Sequence, residues 1–365
     1  MFKKMFVTLG LSVCLVGGNL VAINGLDKIG EIKGSDRYET AGLIAGELAK
    51  KEKYTKAILV NSDNSLADGL SASGLAGLEN APILLVKKDK IPKVTLDKLN
   101  DVKDIYIIGG INSVSKNVED ELINKGINVK RINGENRIET SLNVAKEIEK
   151  TKKVGKVILT NAYKDADAMS VASVAVRDKM PIILTDGKTT DYDTTDKQAY
   201  TIGGSNSMSD DIVKTDEVRL GGKDRFETNR MIIKEFYGES KEFYITKAYN
   251  LVDALTGSVL AKDTPILLVH NGSNKSVLND ATTKITALGG IDKTILEECL
   301  NITNFVGDDE TGVVEKENNG SNDEDKNNSG IYDDTGISDG TGSGGSGVIW
   351  EQVNPPGDWD NQVGY

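Results

Sequence analysis

Histidine is almost missing from this chain: His270 is the single one in 365 residues. It stands at the end of the apolar run Leu267-Leu268-Val269 and reads as a strand-end residue, because a catalytic or metal-binding imidazole would need partners the chain scarcely offers. Cysteine is nearly as scarce. Cys14 falls inside an N-terminal apolar run, which leaves Cys299 alone in a processed chain and excludes an intramolecular disulfide or a cysteine-built metal site. Within residues 25–305 no Gly-x-Gly-x-x-Gly fingerprint, phosphate loop, Gly-x-Ser-x-Gly or Ser-His-Asp set occurs. The expectation is therefore a protein without metal, cofactor or catalytic residues.

Excess positive charge is also absent. The formal charge of −12 belongs to one end: residues 306–365 hold fourteen Asp or Glu against two Lys, so the rest of the chain is balanced. A dedicated nucleic-acid binder would show a basic footprint, and none is seen. Beyond the N-terminus no apolar run is long enough to cross a bilayer. At the N-terminus, Lys3 and Lys4 precede an apolar stretch from Phe6 to Ala22, interrupted by Gly17, Gly18 and Asn19. This pattern reads as an export signal over residues 1–24, with no membrane contact once it is removed. Leu11-Ser12-Val13-Cys14 matches a lipoprotein acylation site poorly, because Val13 is too large before the cysteine.

What is present is repetition. Gly34-Ser35-Asp36-Arg37-Tyr38-Glu39-Thr40 returns as Gly134-Glu135-Asn136-Arg137-Ile138-Glu139-Thr140 and as Gly222-Lys223-Asp224-Arg225-Phe226-Glu227-Thr228. The spacing between arginines is 100 and then 88 residues, the length of a small domain. Three further landmarks recur in the same order. Ala67-Asp68-Gly69-Leu70-Ser71 matches Ala166-Asp167-Ala168-Met169-Ser170 and Val252-Asp253-Ala254-Leu255-Thr256; Pro82-Ile83-Leu84-Leu85 matches segments beginning at Pro181 and Pro265; Ile107-Ile108-Gly109-Gly110 matches segments ending at Gly204 and Gly290. Three modules are expected, over residues 25–128, 129–216 and 217–305.

Within each module short runs of Val, Ile and Leu alternate with helical periodicity. In the first, helices fit 38–50, 68–78, 95–99 and 115–125, and strands fit 57–60, 82–86 and 105–108. Wholly apolar strands each followed by a helix indicate a parallel sheet covered on both faces. The fold class is α/β, in three tandem Rossmann-like modules. The Thr- and Asp-rich segment 185–197 is expected to be a loop. After residue 305 aliphatic residues nearly vanish, so 306–365 is expected to be a disordered acidic tail; it ends in Trp350 and Trp359, whose purpose the sequence leaves open.

The triplicated motif has a structural reading. Asp36, Asn136 and Asp224 each precede a glutamate (Glu39, Glu139, Glu227) by three residues, the spacing of a helix capping box. Capping leaves Arg37, Arg137 and Arg225 unexplained, because a cation in the first turn faces the positive end of the helix dipole. A compensating anion is needed. It is either internal, with Asp68, Asp167 and Asp253 as the repeated candidates, or an external phosphate or carboxylate gripped by the guanidinium fork. Those aspartates also read as helix caps, with Ser71, Ser170 and Thr256 one turn inside. Ala72-Ser73-Gly74 behind the first of them points to close helix packing. The loop ahead carries Asn61 and Ser62, then Asn161 and Tyr163, then Lys247 and Tyr249, at the strand ends where open α/β sheets bind ligands.

Together these motifs resemble the cell wall-binding repeat 2 family, over roughly residues 25–305. The resemblance implies three modules in a pseudo-threefold arrangement and non-covalent anchoring to an anionic secondary wall polymer, a polysaccharide or teichoic-acid-like chain. It also implies a location at the cell wall or surface, with other surface proteins as further candidate partners. Arg37, Arg137, Arg225, Asp68, Asp167, Asp253, Ser71, Ser170 and Thr256 are the candidate ligand-binding set. Three departures stand out: Asn136 for Asp, Val252 for Ala, and Glu31 where the other copies have Arg131 and Arg219. Two other functions are compatible with the pattern: an enzyme acting on nucleotide-sugars or wall glycans through the α/β clefts, and a self-associating surface-lattice component. The enzyme would need an acid or base unique to one copy, and none can be named.

Overall fold

The computed structural model describes residues 29–63, 66–212 and 217–303. The expected signal, Cys14, the acidic tail and its tryptophans lie outside the described residues. Each module begins with a long helix: α1 (Arg37–Lys51), α5 (Arg137–Glu149) and α8 (Arg225–Tyr237). In α1 the spacing of Ala41, Ile44, Ala45 and Leu48 makes one apolar stripe, and all four are buried.

Three four-stranded sheets follow, parallel throughout. The first has the order β3 (Ile83–Val86), β2 (Lys56–Asn61), β4 (Asp104–Ile108), β5 (Asn128–Ile132). The second is β7 (Ile182–Thr185), β6 (Lys156–Asn161), β8 (Gln198–Ile202), β9 (Glu217–Leu220). The third is β11 (Ile266–Val269), β10 (Glu242–Lys247), β12 (Lys284–Leu288), β1 (Ile29–Ile32). The fourth strand of each sheet is thus the short, mixed polar and apolar segment that leads into a copy of the Gly-x-Asp/Asn-Arg motif. In the third sheet that strand comes from the other end of the described chain, with Ile29 opposite Ile285 and Ile32 opposite Leu288. The repeats therefore close into a ring about a pseudo-threefold axis.

The outer face of each sheet has its own apolar layer. In the first module Leu59, Ile107, Val118 and Leu122 build it, with α4 (Lys116–Asn124) as cover and the short α3 (Lys93–Leu96) beside β3. In the third, Phe243, Ile245 and Ile285 pack with Cys299 of α10 (Lys293–Thr303), whose thiol burial pushes up to about 12. The second module's layer is Val157, Leu159, Ile183 and Met208; turns occupy the described residues between β8 and β9, and the segment Asp186–Lys197 is the expected loop.

The inner faces share one core. Tyr38, Leu70 and Leu75 from the first module meet Ile148, Met169 and Val174 from the second and Ile232, Leu251 and Leu255 from the third. The second helices carry this contact: α2 (Ala72–Glu79) after a 3-10 turn at Gly69–Ser71, then α6 (Asp165–Ser170) with α7 (Ala172–Asp178), then α9 (Val252–Gly257). Helix α2 packs on α7 and α5, α6 packs on α8, and α9 packs on α1. Each module thus lays its second helix on the first helix of the next.

Candidate ligand-binding seams

The triplicated motif folds the same way each time, and its residue types follow from the geometry. Asp36 Oδ1 accepts from the amide of Glu39 at 2.8 Å, Asp224 does the same for Glu227 at 2.8 Å, and Asn136 accepts from Ile138 and Glu139 at 2.9 and 3.1 Å. The glutamate's return bond reaches one residue further back than in a capping box, to the amides of Ser35, Glu135 and Lys223 at 2.8, 2.7 and 2.8 Å. The hydroxyls of Thr40, Thr140 and Thr228 accept from the glycine amides, all at 3.0 Å. Glycine is required because a Cβ on Gly34, Gly134 or Gly222 would lie 2.4–2.5 Å from the Cβ of that glutamate.

The arginines turn toward the C-terminal end of the first sheet strand of their own module. Arg137 donates to the Ala162 carbonyl at 2.8 Å and Arg225 to the Ala248 carbonyl at 2.9 Å, while Arg37 donates to the Ser62 carbonyl. A carbonyl takes one of five guanidinium N–H groups and offsets part of the cost of a cation at a helix N-terminus. All three arginines remain partly exposed.

The aspartates lie across the seam from them. Asp68 of the first module feels Arg137 of the second, Asp167 feels Arg225 of the third, and Asp253 feels Arg37 of the first. Burial nonetheless dominates: it raises Asp68 above the ordinary carboxylate range and pushes Asp167 and Asp253 up to about 6, against the pull of the arginines and of Lys164 and Lys247. Hydrogen bonds from Ser113 and from Thr140 of the next module also oppose the rise at Asp68. None of the three caps a helix with its side chain. The 3-10 turn after Asp68 has no side-chain cap bond, and Asp167 and Asp253 lie within the first turns of α6 and α9. What seats them is the glycine pair after the third strand. A Cβ on Gly109, Gly203 or Gly289 would stand 2.5, 3.0 or 2.1 Å from the carboxylate Oδ2, and those glycines have φ of +119°, +125° and +74°.

Ser71, Ser170 and Thr256 are buried, and Thr256 donates to the Val252 carbonyl at 3.2 Å. The structure thus brings the arginines and aspartates of neighbouring modules together and sets the three hydroxyls behind them in the shared core. Arg131 and Arg219 tie the loop after the third strand to its sheet. Arg131 bonds the Gly109 carbonyl and Glu119, both at 2.8 Å, and Arg219 bonds the Met208 and Ser209 carbonyls at 3.0 and 2.9 Å. Glu31, in the same register, stands exposed 3.7 Å from Lys33.

Two of the loop residues singled out in the sequence acquire a specific contact in the structure. Tyr163 and Tyr249, two positions past β6 and β10, carry the guanidinium groups of Arg137 and Arg225 at 5.2 and 4.3 Å from their ring centroids. Their signal in the sequence is an aromatic in a loop whose residues differ between copies. His270 follows β11, exposed, with its ring edge-on to Tyr249 at 4.9 Å. Among the described residues no His, Cys, Asp or Glu cluster could hold a metal, and no helix is long and apolar enough to cross a membrane.

Three cyclically related parallel α/β modules joined by repeated Arg/Asp seams define the class of protein. The family described as cell wall binding domain 2 matches residues 31–119, 131–213 and 219–295, and the chain belongs to it. It is 30% identical over 282 residues to the N-acetylmuramoyl-L-alanine amidase LytC of Bacillus subtilis, covering 73% of this chain and 55% of that protein. It is 37% identical over 265 residues to the amidase enhancer of the same organism, covering 68% and 36%. Cwp8 from Clostridium difficile superposes with a TM-score of 0.67 at 31% identity, covering 76% of this chain and 52% of the other. The chain thus spans about half or less of the relatives it matches.

Proposed function

We propose that the three modules bind an anionic secondary polymer of the cell wall at the seams and hold the protein there without covalent attachment and without catalysis. The observation that supports this most is the arginine row. Each guanidinium sits partly exposed at the strand ends of an open parallel sheet, held by a carbonyl with further N–H donors in reach of a phosphate or carboxylate. Three such groups on one rigid ring suit a repeating polymer, where weak contacts combine through effective concentration. The carboxylates with raised proton affinity occur in all three copies, as a buried architectural residue would and a catalytic acid would not. The share of the amidase relatives that this chain matches supports a common wall-binding part.

The test is sedimentation with purified cell walls, intact or stripped of secondary polymer. The full chain is expected to bind intact walls and to lose binding to stripped ones. Replacing Arg37, Arg137 and Arg225 together by alanine is expected to weaken binding by at least about tenfold, the loss of a single charge-assisted bond. Circular dichroism of the variant checks that the fold is kept. Undiminished binding to stripped walls would point instead to peptidoglycan or protein contacts.

A further inference from the structure

We infer that Tyr163 and Tyr249 are stacking platforms for sugar rings of the wall polymer, and that the first module lacks one, so the chain grips the glycan at two of its three seams. This rests on the wall-polymer reading above and specifies its ligand as a glycan whose acidic substituents lie next to pyranose rings.

Three observations converge. Tyr163 and Tyr249 are 63% and 62% exposed, while most large apolar side chains of the fold are buried. Both rings are nevertheless fixed. The Tyr163 amide donates to Asn161 Oδ1 at 2.9 Å, and the Arg137 guanidinium lies over the ring. Tyr249 is held by Arg225 on its face and, edge-on, by His270 at 4.9 Å and Phe226 at 6.3 Å. An exposed aromatic already held in place offers contact area at small entropic cost. Its negative ring face attracts the C–H groups of a pyranose, and the adjacent guanidinium is placed for a carboxylate or phosphate on the same residue.

The first module shows what the position looks like without this function. Asp63 occupies it on the same local turn, its amide donating to Asn61 Oδ1 at 2.8 Å. Instead of an open ring it presents a carboxylate that accepts the Tyr38 hydroxyl. No aromatic face is offered at this position. The three seams share their framework and differ at the residue that would touch sugar.

The experiment uses the full chain and measures binding to intact and stripped walls for wild type and for Tyr163→Ala, Tyr249→Ala, the double variant, Tyr163→Phe and Asp63→Ala. Each tyrosine-to-alanine change is expected to weaken binding to intact walls by about tenfold, and the double by about a hundredfold, if the sites act independently. Tyr163→Phe, which keeps the ring, and Asp63→Ala are expected to stay within about twofold of wild type or to bind more tightly. A double variant within about twofold of wild type, or an Asp63→Ala loss as large as either tyrosine loss, overturns the inference. The two readings fail separately. If the arginine variant loses binding and the tyrosine double does not, the anionic contact stands and stacking falls. If wild type binds stripped walls equally well and the tyrosine double weakens that binding, the secondary-polymer reading falls and stacking stands on another wall glycan. A wild-type chain that binds neither preparation overturns both.

Discussion

At the scale of single residues, the seam aspartates carry a consequence for stability. Burial gives Asp167 and Asp253 a proton affinity near pH 6, about two units above an exposed aspartate. Between roughly pH 4 and pH 6 the native state therefore holds protons that the unfolded chain has released. Stability then falls as pH rises through that window and is level above it, by up to about 3 kcal/mol for each group if the full shift applies. Other carboxylates act in the opposite direction at lower pH. Asp178, held low by hydrogen bonds from Arg177, and Glu298, held low by hydrogen bonds from Lys275, lose those partners when protonated. The expected profile has its maximum near pH 4–5. Urea unfolding at pH 4.5 and 7.5 should show the greater stability at the lower pH, and Asp167→Asn with Asp253→Asn should flatten the difference. A profile rising steadily from pH 4.5 to 7.5 would show that the arginines, not burial, govern these carboxylates.

At the scale of elements, the seams depend on backbone approaching backbone. A Cβ on Gly77 of α2 would lie 2.0 Å from the Val176 carbonyl oxygen, and one on Gly74 would lie 2.1 Å from that of Met180. These contacts leave no flexible side chain to give way. Gly77→Ala is expected to cost about 3 kcal/mol by overpacking, while Gly155→Ala, where nothing lies within 4 Å, should change stability by less than about 0.5 kcal/mol in urea titrations. Equal effects would mean that α2 and α7 can slide apart freely. Much at this scale is legible in the amino-acid sequence. Runs such as Ile83–Val86 are apolar at every position because both faces of the strand are covered, and Ala72-Ser73-Gly74 marks a helix that packs closely. The aspartates were harder to read. Asp68 looks like a helix cap in one dimension, whereas its setting is made by Gly109, about forty residues on, and by Arg137 in another module. A repeat pattern states that each copy has an arginine and an aspartate; it cannot state which copy's arginine meets which copy's aspartate.

At the scale of the whole molecule, ring closure is what local patterns conceal most. Ile29–Ile32, with Gly30 and Glu31 inside it, lacks the unbroken apolar run that marks strands such as β3, and its partner β12 lies some 250 residues away. Yet it completes the third sheet as β5 and β9 complete the first two, and it brings Arg37 to the seam where Asp253 waits. With the inner core drawn from all three modules, no module can open without exposing the apolar faces of its neighbours. The three should therefore unfold as one unit, although each looks like a small domain. Native-state hydrogen exchange tests this: the amides of β3, β7 and β11 are expected to exchange through openings of equal free energy, within about 1 kcal/mol. Deleting the chain up to Ile32 removes the closing strand, bares the β12 edge and frees Arg37 from its seam. If the ring is one cooperative body, that deletion lowers protection in β7, which it does not touch, by as much as in β11. If only β11 and β12 lose protection while β7 keeps its own, the modules are independent units in contact, and the seams are too loose to present their arginines as a fixed set.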